Sequence, residues 1–480
     1  MIKLKRNIIL FSISVFLLIS CTSSQYIEPK QLDAETSAKS ILSNNINNQK
    51  LIAYLSRYNL IIPDKDDYWN SDLLVMIALF NNKNLEMKRA EYGLVAADIQ
   101  VITAGFKNNI LNPTAEYHTK GKPFTIGLSL EVPTNNISIK KIKLDLIKIK
   151  TLTKALEIIL PAWEIRTNVM KSIAKILKYE EEYILENNIT NKMDKNLNIM
   201  NGLYEQGLIS SILLNNYKKE LEERISNLKI IKSKIKASRI NLSSNLNLPI
   251  DLIMSMKIAL EDSKTATIEE LESTLEEKLN FALVSRGDVL TALSKYAESE
   301  SELRLLVAEE NNIIQSLSPA ILWDQTDLIF NLTGALLLKN EEITDAKMNK
   351  AILKRDLYKA SFEATQSMIL QEVYNSFSKM LIVNAEYYAG LSLLQNSKLN
   401  LEIIINRWKK GDVSNLDVLQ AELLTLQREK LLSDIKYNRL FSFLDFENSL
   451  GHSYNNKDYL PKDAYYPIDY FTNSYKGNSQ

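Results

Sequence analysis

Long stretches of this chain lack proline. Proline is missing from residues 162–248, 250–318 and 320–460, and apolar residues return there every three or four positions. One such series consists of Leu214, Tyr217, Leu221, Ile225, Leu228, Ile231 and Ile235. Proline breaks helices, and this spacing is typical of a helix with one apolar face. The pattern therefore predicts a mainly α fold of coiled-coil helices, one of them about 100 Å long across residues 341–408.

Two short regions have the alternating pattern of strands instead. In residues 124–133, FTIGLSLEVP, apolar and polar side chains alternate, and a weaker strand signal precedes them at 114–120. A second pair follows Pro319, at 320–324 and 328–338. Period-two alternation is typical of a strand with one apolar and one polar face. We predict strand pairs at about 114–132 and about 320–338. Strands of this length can cross a bilayer when they are tilted.

These features occur twice with nearly constant spacing. Residues 78–85 match 282–289, and Gly207 aligns with Gly411, in both cases 204 residues apart. The strand pairs are 206 residues apart. The regularity predicts an internal duplication, in which each copy has a helix, a strand pair, a long helix, a glycine turn and a helix. Pro161 should kink or interrupt the long helix of the first copy only.

The N-terminus has the features of an export signal that ends in a modified cysteine. Basic residues precede an apolar run over residues 8–19, as in a signal peptide, and Cys21 is the only cysteine of the chain. Residues 18–21, LISC, resemble the bacterial lipobox. We predict a lipoprotein signal peptide at 1–20, lipidation of Cys21 with further acyl chains such as palmitate, and the outer membrane as the destination. An ordinary signal peptide with an accidental cysteine is the alternative.

Composition and motifs favour neither an enzyme nor a nucleic-acid binder. Without residues 1–20, 55 Lys and Arg stand against 58 Asp and Glu, and no long basic stretch occurs. His118 and His452 lie far apart without other plausible metal ligands nearby in sequence. We found no glycine-rich phosphate loop, nucleophile elbow or zinc-binding helix motif. We therefore predict no enzyme activity, no cofactor and no bound metal.

Two segments resemble the TolC-like outer-membrane efflux proteins. They are RWKKGDVSNLDVLQAELLTLQREKLL (407–432), in which Gly411 precedes Asp417-Val418-Leu419, and WNSDLLVMIALFNNKNLEMKRAEYGLVAA (69–97). The resemblance implies a homotrimer. Each chain would give four strands to a 12-stranded β-barrel in the outer membrane and two helical hairpins to an α-helical periplasmic tunnel. It also implies a periplasmic adaptor protein and an inner-membrane pump as partners.

The resemblance divides the chain into segments. They are a lipidated N-terminal linker at 21–68 with a short helix at Leu51–Tyr58, a first efflux repeat at 69–250, a second at 265–451, and an extended tail at 452–480.

The resemblance also assigns candidate site residues. The hairpin turns would form the tip that docks the adaptor, through Tyr204, Gly207, Leu208, Trp408, Gly411 and Val413. Plain turn glycines are the simpler interpretation, and both can hold. Asp417 would form a carboxylate ring at the channel constriction, although an aspartate in a first helical turn also suits the helix dipole. The first copy has Leu213 at the equivalent position.

The leading functional hypothesis is an outer-membrane channel of a tripartite efflux or type I secretion system, a passive exit duct powered by an inner-membrane pump. The alternative is a lipid-anchored periplasmic coiled-coil scaffold or tether with no pore. The strand pairs favour the channel, because a coiled-coil scaffold has no use for them. A third possibility is a degenerate channel that assembles but conducts poorly.

Overall fold

The computed structural model describes residues 31–64, 67–104, 110–117, 124–133, 137–260, 267–312, 314–324, 327–336 and 341–454. The chain divides into two units, residues 1–44 and 45–480. The first contains helix α1 (Ala34–Leu42), whose N-cap residue is Asp33. The Asp33 carboxylate accepts the N–H groups of Glu35 and Thr36, as expected of an N-cap.

The second unit contains the remaining described elements, in two similar series. Its helices are α2 (Gln49–Ser56), α3 (Ser71–Asn81), α4 (Lys83–Ala104), α5 (Ile137–Leu156), α6 (Ile159–Glu205), α7 (Ser211–Leu246), α8 (Ile250–Ser255), α9 (Ile268–Ser285), α10 (Gly287–Glu310), α11 (Glu341–Lys409) and α12 (Asn415–Leu450). Its strands are β1 (Tyr68–Trp69), β2 (Ile110–Tyr117), β3 (Phe124–Pro133), β4 (Lys257–Ile258), β5 (Ile314–Asp324) and β6 (Asp327–Leu336).

The duplication seen in the sequence recurs in the boundaries of the helices. The helices α3, α6 and α7 end 204 residues before α9, α11 and α12 end, at 81 and 285, 205 and 409, and 246 and 450. The residues that follow α7 and α12, Asn247 and Gly451, are also 204 apart and both have positive φ. The order helix, strand pair, long helix, turn, helix is present in both halves.

The expected interruption at Pro161 is confirmed. Helix α5 ends at Leu156 and α6 begins at Ile159, so Pro161 lies in the first turn of α6. A first-turn N–H has no partner within its own helix, and proline therefore costs little there. The second copy has no proline at this place, and α11 runs unbroken for 69 residues.

Two predicted strand starts were wrong, because proline was read as a boundary. Strand β2 begins at Ile110 and contains Pro113, and β5 begins at Ile314 and contains Pro319. Strand β2 lies at an edge of its sheet, where a residue without an N–H is tolerated. Strand β3 has the predicted bounds. The predicted strand residues 118–120 and 337–338, like His118, lie outside the described residues.

Part of the predicted linker belongs to the core. Helix α2 occupies residues 49–56 rather than 51–58, and its Leu51, Tyr54 and Leu55 are buried in one cluster with the apolar side chains of α3. Strand β1 pairs in parallel with β4, through Tyr68 with Lys257 and Trp69 with Ile258. This segment is thereby held against the residues that follow α7.

The four longest helices of the second unit pack as a row in the order α7, α6, α12, α11. Helices α6 and α7 form one antiparallel hairpin, and α11 and α12 form the other. The two hairpins meet where α6 contacts α12. This contact carries ion pairs along its length, among them Lys192–Glu422 at 2.6 Å, Lys178–Asp434 at 3.3 Å and Arg166–Glu447 at 3.3 Å.

Candidate functional site

The four-stranded sheet has an exposed apolar face. Its antiparallel order is β2-β3-β5-β6. The register aligns Leu128 with Ile321 and Ile321 with Phe330, so that apolar side chains follow one another across the strands. The exposed large apolar side chains of this face include Leu111, Ile126, Leu128, Leu130, Leu317, Ile321, Trp323, Leu328, Phe330 and Leu332. A contiguous exposed apolar patch is typical of a surface that a partner or a membrane covers.

The opposite face of the sheet is mostly polar or small. It carries Asn112, Thr114, Ser129, Asn331 and Thr333, with Leu322 and Ile329 as apolar members. Strands β2 and β6 form the two edges, and every residue of β6 is exposed. The sheet thus has one apolar face, one mostly polar face and two edge strands that pair on one side only within the described residues.

The two hairpin turns have the same hydrogen bonds, shifted by 204 residues. The Gly207 N–H donates to the Tyr204 carbonyl at 2.9 Å, and the Leu208 N–H to the Leu203 carbonyl at 2.8 Å. In the second turn, Gly411 donates to Trp408 at 2.9 Å and Asp412 to Arg407 at 3.0 Å. This pair of bonds is the Schellman arrangement, in which a helix ends on a left-handed residue.

The turn glycines are required by the backbone. Gly207 has φ 71° and Gly411 has φ 84°, values that other residues adopt at a cost. A Cβ added at either position would meet no atom within 4 Å, so neither glycine makes room for a neighbour.

Large apolar and aromatic side chains at both turns face solvent. Tyr204, Leu208 and Trp408 are exposed, while Val413 is half-buried. The structure therefore places the predicted tip residues in two turns of equal geometry.

Asp417 closes a capping box at the start of α12. Its carboxylate accepts the Ser414 N–H at 2.8 Å and the Ser414 hydroxyl at 2.7 Å, while its own N–H donates to Ser414 Oγ at 3.3 Å. These bonds from Ser414 hold the pKa of Asp417 below its usual range. The bonds from Ser414 thus favour the charged form of this carboxylate, which lies at an exposed position.

The first copy has only half of this cap. Ser210 accepts the Leu213 N–H at 3.2 Å, but Leu213 has no carboxylate to return a bond. Sequence reasoning missed both serine caps. The pattern Ser-x-x-Asp at 414–417 could have revealed the second one.

A buried carboxylate joins three helices behind the tips. Glu186 of α6 accepts from Arg224 Nη1 of α7 at 3.2 Å and from Lys430 Nζ of α12 at 2.7 Å. Its side chain is 1% exposed. Closer to the tips, Ile189, Met193 and Leu221 form a small apolar cluster with Leu423 and Leu426 of α12. These contacts join α6, α7 and α12 and so link the two hairpins on the side of the turns.

A partly buried tyrosine of α7 also contacts α6 at this junction. The Tyr217 hydroxyl donates to the Met193 carbonyl at 3.1 Å, and burial raises the pKa of Tyr217 to about 12. Tyr217 therefore remains a neutral donor under ordinary conditions.

Solved structures of bacterial outer-membrane proteins share this architecture. The outer membrane protein VceC of Vibrio cholerae matches 80% of this chain and 96% of its own, with a TM-score of 0.63 and 15% identity. The Campylobacter jejuni CmeC outer membrane channel matches 94% of this chain and 98% of its own, with a TM-score of 0.59 and 14% identity. The chain has the fold of the TolC-like outer-membrane channels. The open state of the Neisseria gonorrhoeae MtrE outer membrane channel is similar over 80% of this chain and 89% of its own, with a TM-score of 0.59 and 14% identity.

No protein-family model and no curated protein sequence matches the chain. The TolC-like fold was nevertheless predicted from two segments, 69–97 and 407–432. Segment 69–97 contains α3 and the N-terminal part of α4. Segment 407–432 contains the turn at Gly411 and the first half of α12. At 12–15% identity, the likeness lies in the order and packing of the elements rather than in the sequence.

Other predicted features fall beyond the tips and the sheet. Cys21 and the tail from residue 455 lie outside the described residues. None of the described helices combines the length and the apolar character that a membrane-spanning helix requires. The part of the chain that is described contains no group of three or more His, Cys, Asp or Glu side chains placed to hold a metal ion.

Proposed function

We propose that this protein is the outer-membrane channel of a tripartite efflux or type I secretion system. Three copies would join their sheets into a 12-stranded barrel in the outer membrane and their hairpins into a periplasmic tunnel. The observation that carries the proposal is the sheet with one exposed apolar face and two open edges. Unpaired edge groups in lipid cost several kcal/mol each, as an order of magnitude, so the edges must be paired by other copies.

The remaining parts of the proposal concern partners and anchoring. The tip turns, with Tyr204, Gly207, Leu208, Trp408, Gly411 and Val413, would dock a periplasmic adaptor that connects to an inner-membrane pump. Exposed tyrosine and tryptophan side chains are common anchors in such interfaces. Asp417 from three copies would ring the narrow end of the tunnel, and Cys21 would carry a lipid in the outer membrane. The channel itself would be passive.

The apolar sheet face gives a direct test with a matched control. Phe330 and Asn331 are neighbours in β6 but lie on opposite faces, and both are exposed. In a chain carrying Cys21→Ser, which cannot be lipidated there, Phe330→Lys should lower the fraction of protein that remains in liposomes after a urea wash. A lysine near the middle of a barrel's lipid face costs roughly 2–4 kcal/mol. Asn331→Lys should leave the fraction unchanged.

The scaffold hypothesis expects another result. A pore-free tether depends on its lipid, so the Cys21→Ser chain would wash off the liposomes whatever stands at residue 330. Retention of the Cys21→Ser chain, lost with Phe330→Lys, supports the channel, and complete wash-off contradicts it.

A further inference from the structure

Among the described residues, the row of the four longest helices ends in two helices that each pack against only one other member of the row. Helix α12 packs against both α11 and α6, and α6 packs against both α12 and α7. This leaves α7 and α11 at the two ends of the row. The 204-residue repeat makes α11 the counterpart of α6, and α12 the counterpart of α7. The α6–α12 contact within the chain therefore has a counterpart in which α11 faces α7.

The register of this second contact follows from the first. Within the chain, α6 and α12 run antiparallel, with Lys178 of α6 against Asp434 of α12 at 3.3 Å. Adding 204 to the α6 residue and subtracting 204 from the α12 residue gives Ile382 of α11 and Ile230 of α7. Both isoleucines are exposed, Ile382 to 58% and Ile230 to 53%. An ionic pair in one contact thus corresponds to two uncovered apolar side chains in the other.

A second position shows the same relation more strongly. Met170 of α6 and Leu444 of α12 are buried in one core cluster. Their counterparts are Tyr374 of α11, which is 50% exposed, and Ile240 of α7, which is 39% exposed. Side chains that the repeat buries inside the chain are exposed at the ends of the row.

The other exposed apolar residues of α7 fit the same register to within a helical turn. Each has an exposed apolar residue of α11 opposite it, in the pairs Ile212 with Ile403, Leu213 with Leu399, and Ile225 with Leu391.

The charges also differ between the two contacts. The ion pairs that link α6 to α12 include Lys192–Glu422, Glu182–Lys430, Glu181–Lys436 and Lys178–Asp434. At the counterpart positions stand Asn396 and Lys218, Glu386 and Ser226, Ala385 and Lys232, and Ile382 and Ile230. None of these four is a pair of opposite charges. The uncovered faces of α7 and α11 are therefore suited to each other by apolar contact rather than by ion pairs.

We propose that α7 of one copy packs antiparallel against α11 of a second copy, in the register of the α6–α12 contact, through an apolar seam centred on Ile230 and Ile382. The inference rests on the proposed trimer and specifies its helical interface. Each copy offers α11 to one neighbour and α7 to the other, and such head-to-tail contacts form a ring when the rotation closes. Because contacts between copies are apolar and contacts within a copy are ionic, a helix that packs against the wrong neighbour would leave charges unpaired.

Site-directed crosslinking tests this register in the full-length protein. The unchanged chain has one cysteine, Cys21, and sets the background. With a short bis-maleimide, Ile230→Cys together with Ile382→Cys should give dimer and trimer bands on a denaturing gel. Ile240→Cys together with Ile382→Cys should give none, because the new cysteine lies about 15 Å further along α7. Lys178→Cys with Asp434→Cys should crosslink only within one chain.

A charge graft tests the same contact without crosslinker. Ile230→Asp or Ile382→Lys alone should reduce the trimer share measured by light scattering at a fixed protein concentration. Together they recreate the Lys178–Asp434 pair and should restore the trimer share. No restoration, or no effect of either single change, overturns the proposed seam.

The outcomes separate this inference from the channel proposal. A trimer by light scattering without the 230–382 crosslink overturns the register and leaves the trimer intact. A monomer overturns both. A crosslinked trimer that never conducts supports the seam and contradicts the channel.

Discussion

The buried Glu186 carboxylate gives the most sharply defined stability prediction. It is the shared partner of Arg224 and Lys430, whose side chains are 16% and 24% exposed. Glu186→Gln removes the charge and leaves two cations facing an amide. Removing one member of a buried ion pair costs roughly 3–5 kcal/mol. Each cation keeps a second carboxylate, Lys430 with Glu182 at 3.5 Å and Arg224 with Glu220 at 3.1 Å, so we expect the lower end, about 3 kcal/mol.

The assay is guanidinium chloride unfolding of the full chain, followed by circular dichroism of the helices at equal protein concentration. Guanidinium slopes for a chain of this size are several kcal/mol per molar, so the midpoint should fall on the order of 0.5 M. Glu220→Gln is the matched control, because Glu220 contacts the same Arg224 but its side chain is 49% exposed. An exposed pair is worth about 0–1 kcal/mol. Equal effects of the two substitutions would refute the three-helix junction.

Three further predictions concern the tips and the hairpin contact. Gly411→Ala should destabilise the folded protein by about 1 kcal/mol because the φ of Gly411 is 84°. Gly202→Ala, inside α6 with open space around it, should stabilise the folded protein by about 0.5–1 kcal/mol. Denaturant midpoints of the two variants that move in the same direction would contradict this. Burial alone would raise the pKa of Glu181, but hydrogen bonds from Ser433 and Tyr437 lower it overall. The contribution of Glu181 to the free energy of unfolding is therefore complete above about pH 5 and is lost as the pH falls through the lowered pKa. In acid unfolding, Glu181→Gln should start from a lower stability and show a shallower pH dependence. Trp408→Ala should weaken binding of the proposed periplasmic adaptor by about tenfold or more in a surface-binding assay, while Leu353→Ala, at an exposed apolar residue far from the turns, should not.

Features that depend on local sequence were predictable. The turn at Gly411 was predicted because only glycine reaches positive φ cheaply, and the strand at 124–133 because its alternation is unbroken. Proline was a poorer guide. Pro113 lies within an edge strand, where a missing N–H does no harm, so its presence did not mark a strand end.

Features that depend on distant contacts were not predictable. Glu186 contacts residues 38 and 244 positions away, and nothing in the sequence around it distinguishes it from the exposed glutamates of the same helix. The position of Asp417 in the fold was predicted, but its capping bonds with Ser414 were not considered. Through these bonds the Asp417 carboxylate caps the N-terminus of α12, and this role does not depend on a constriction.

The central claim is that this protein conducts, and single-channel recording in a planar lipid bilayer tests it most directly. The purified protein should give a steady conductance, and Asp417→Asn should change the current or lower the preference for cations. Leu213→Asn, at the equivalent place in the first copy, is the matched control and should change neither. A protein that inserts as a trimer yet stays silent at every voltage would contradict the account.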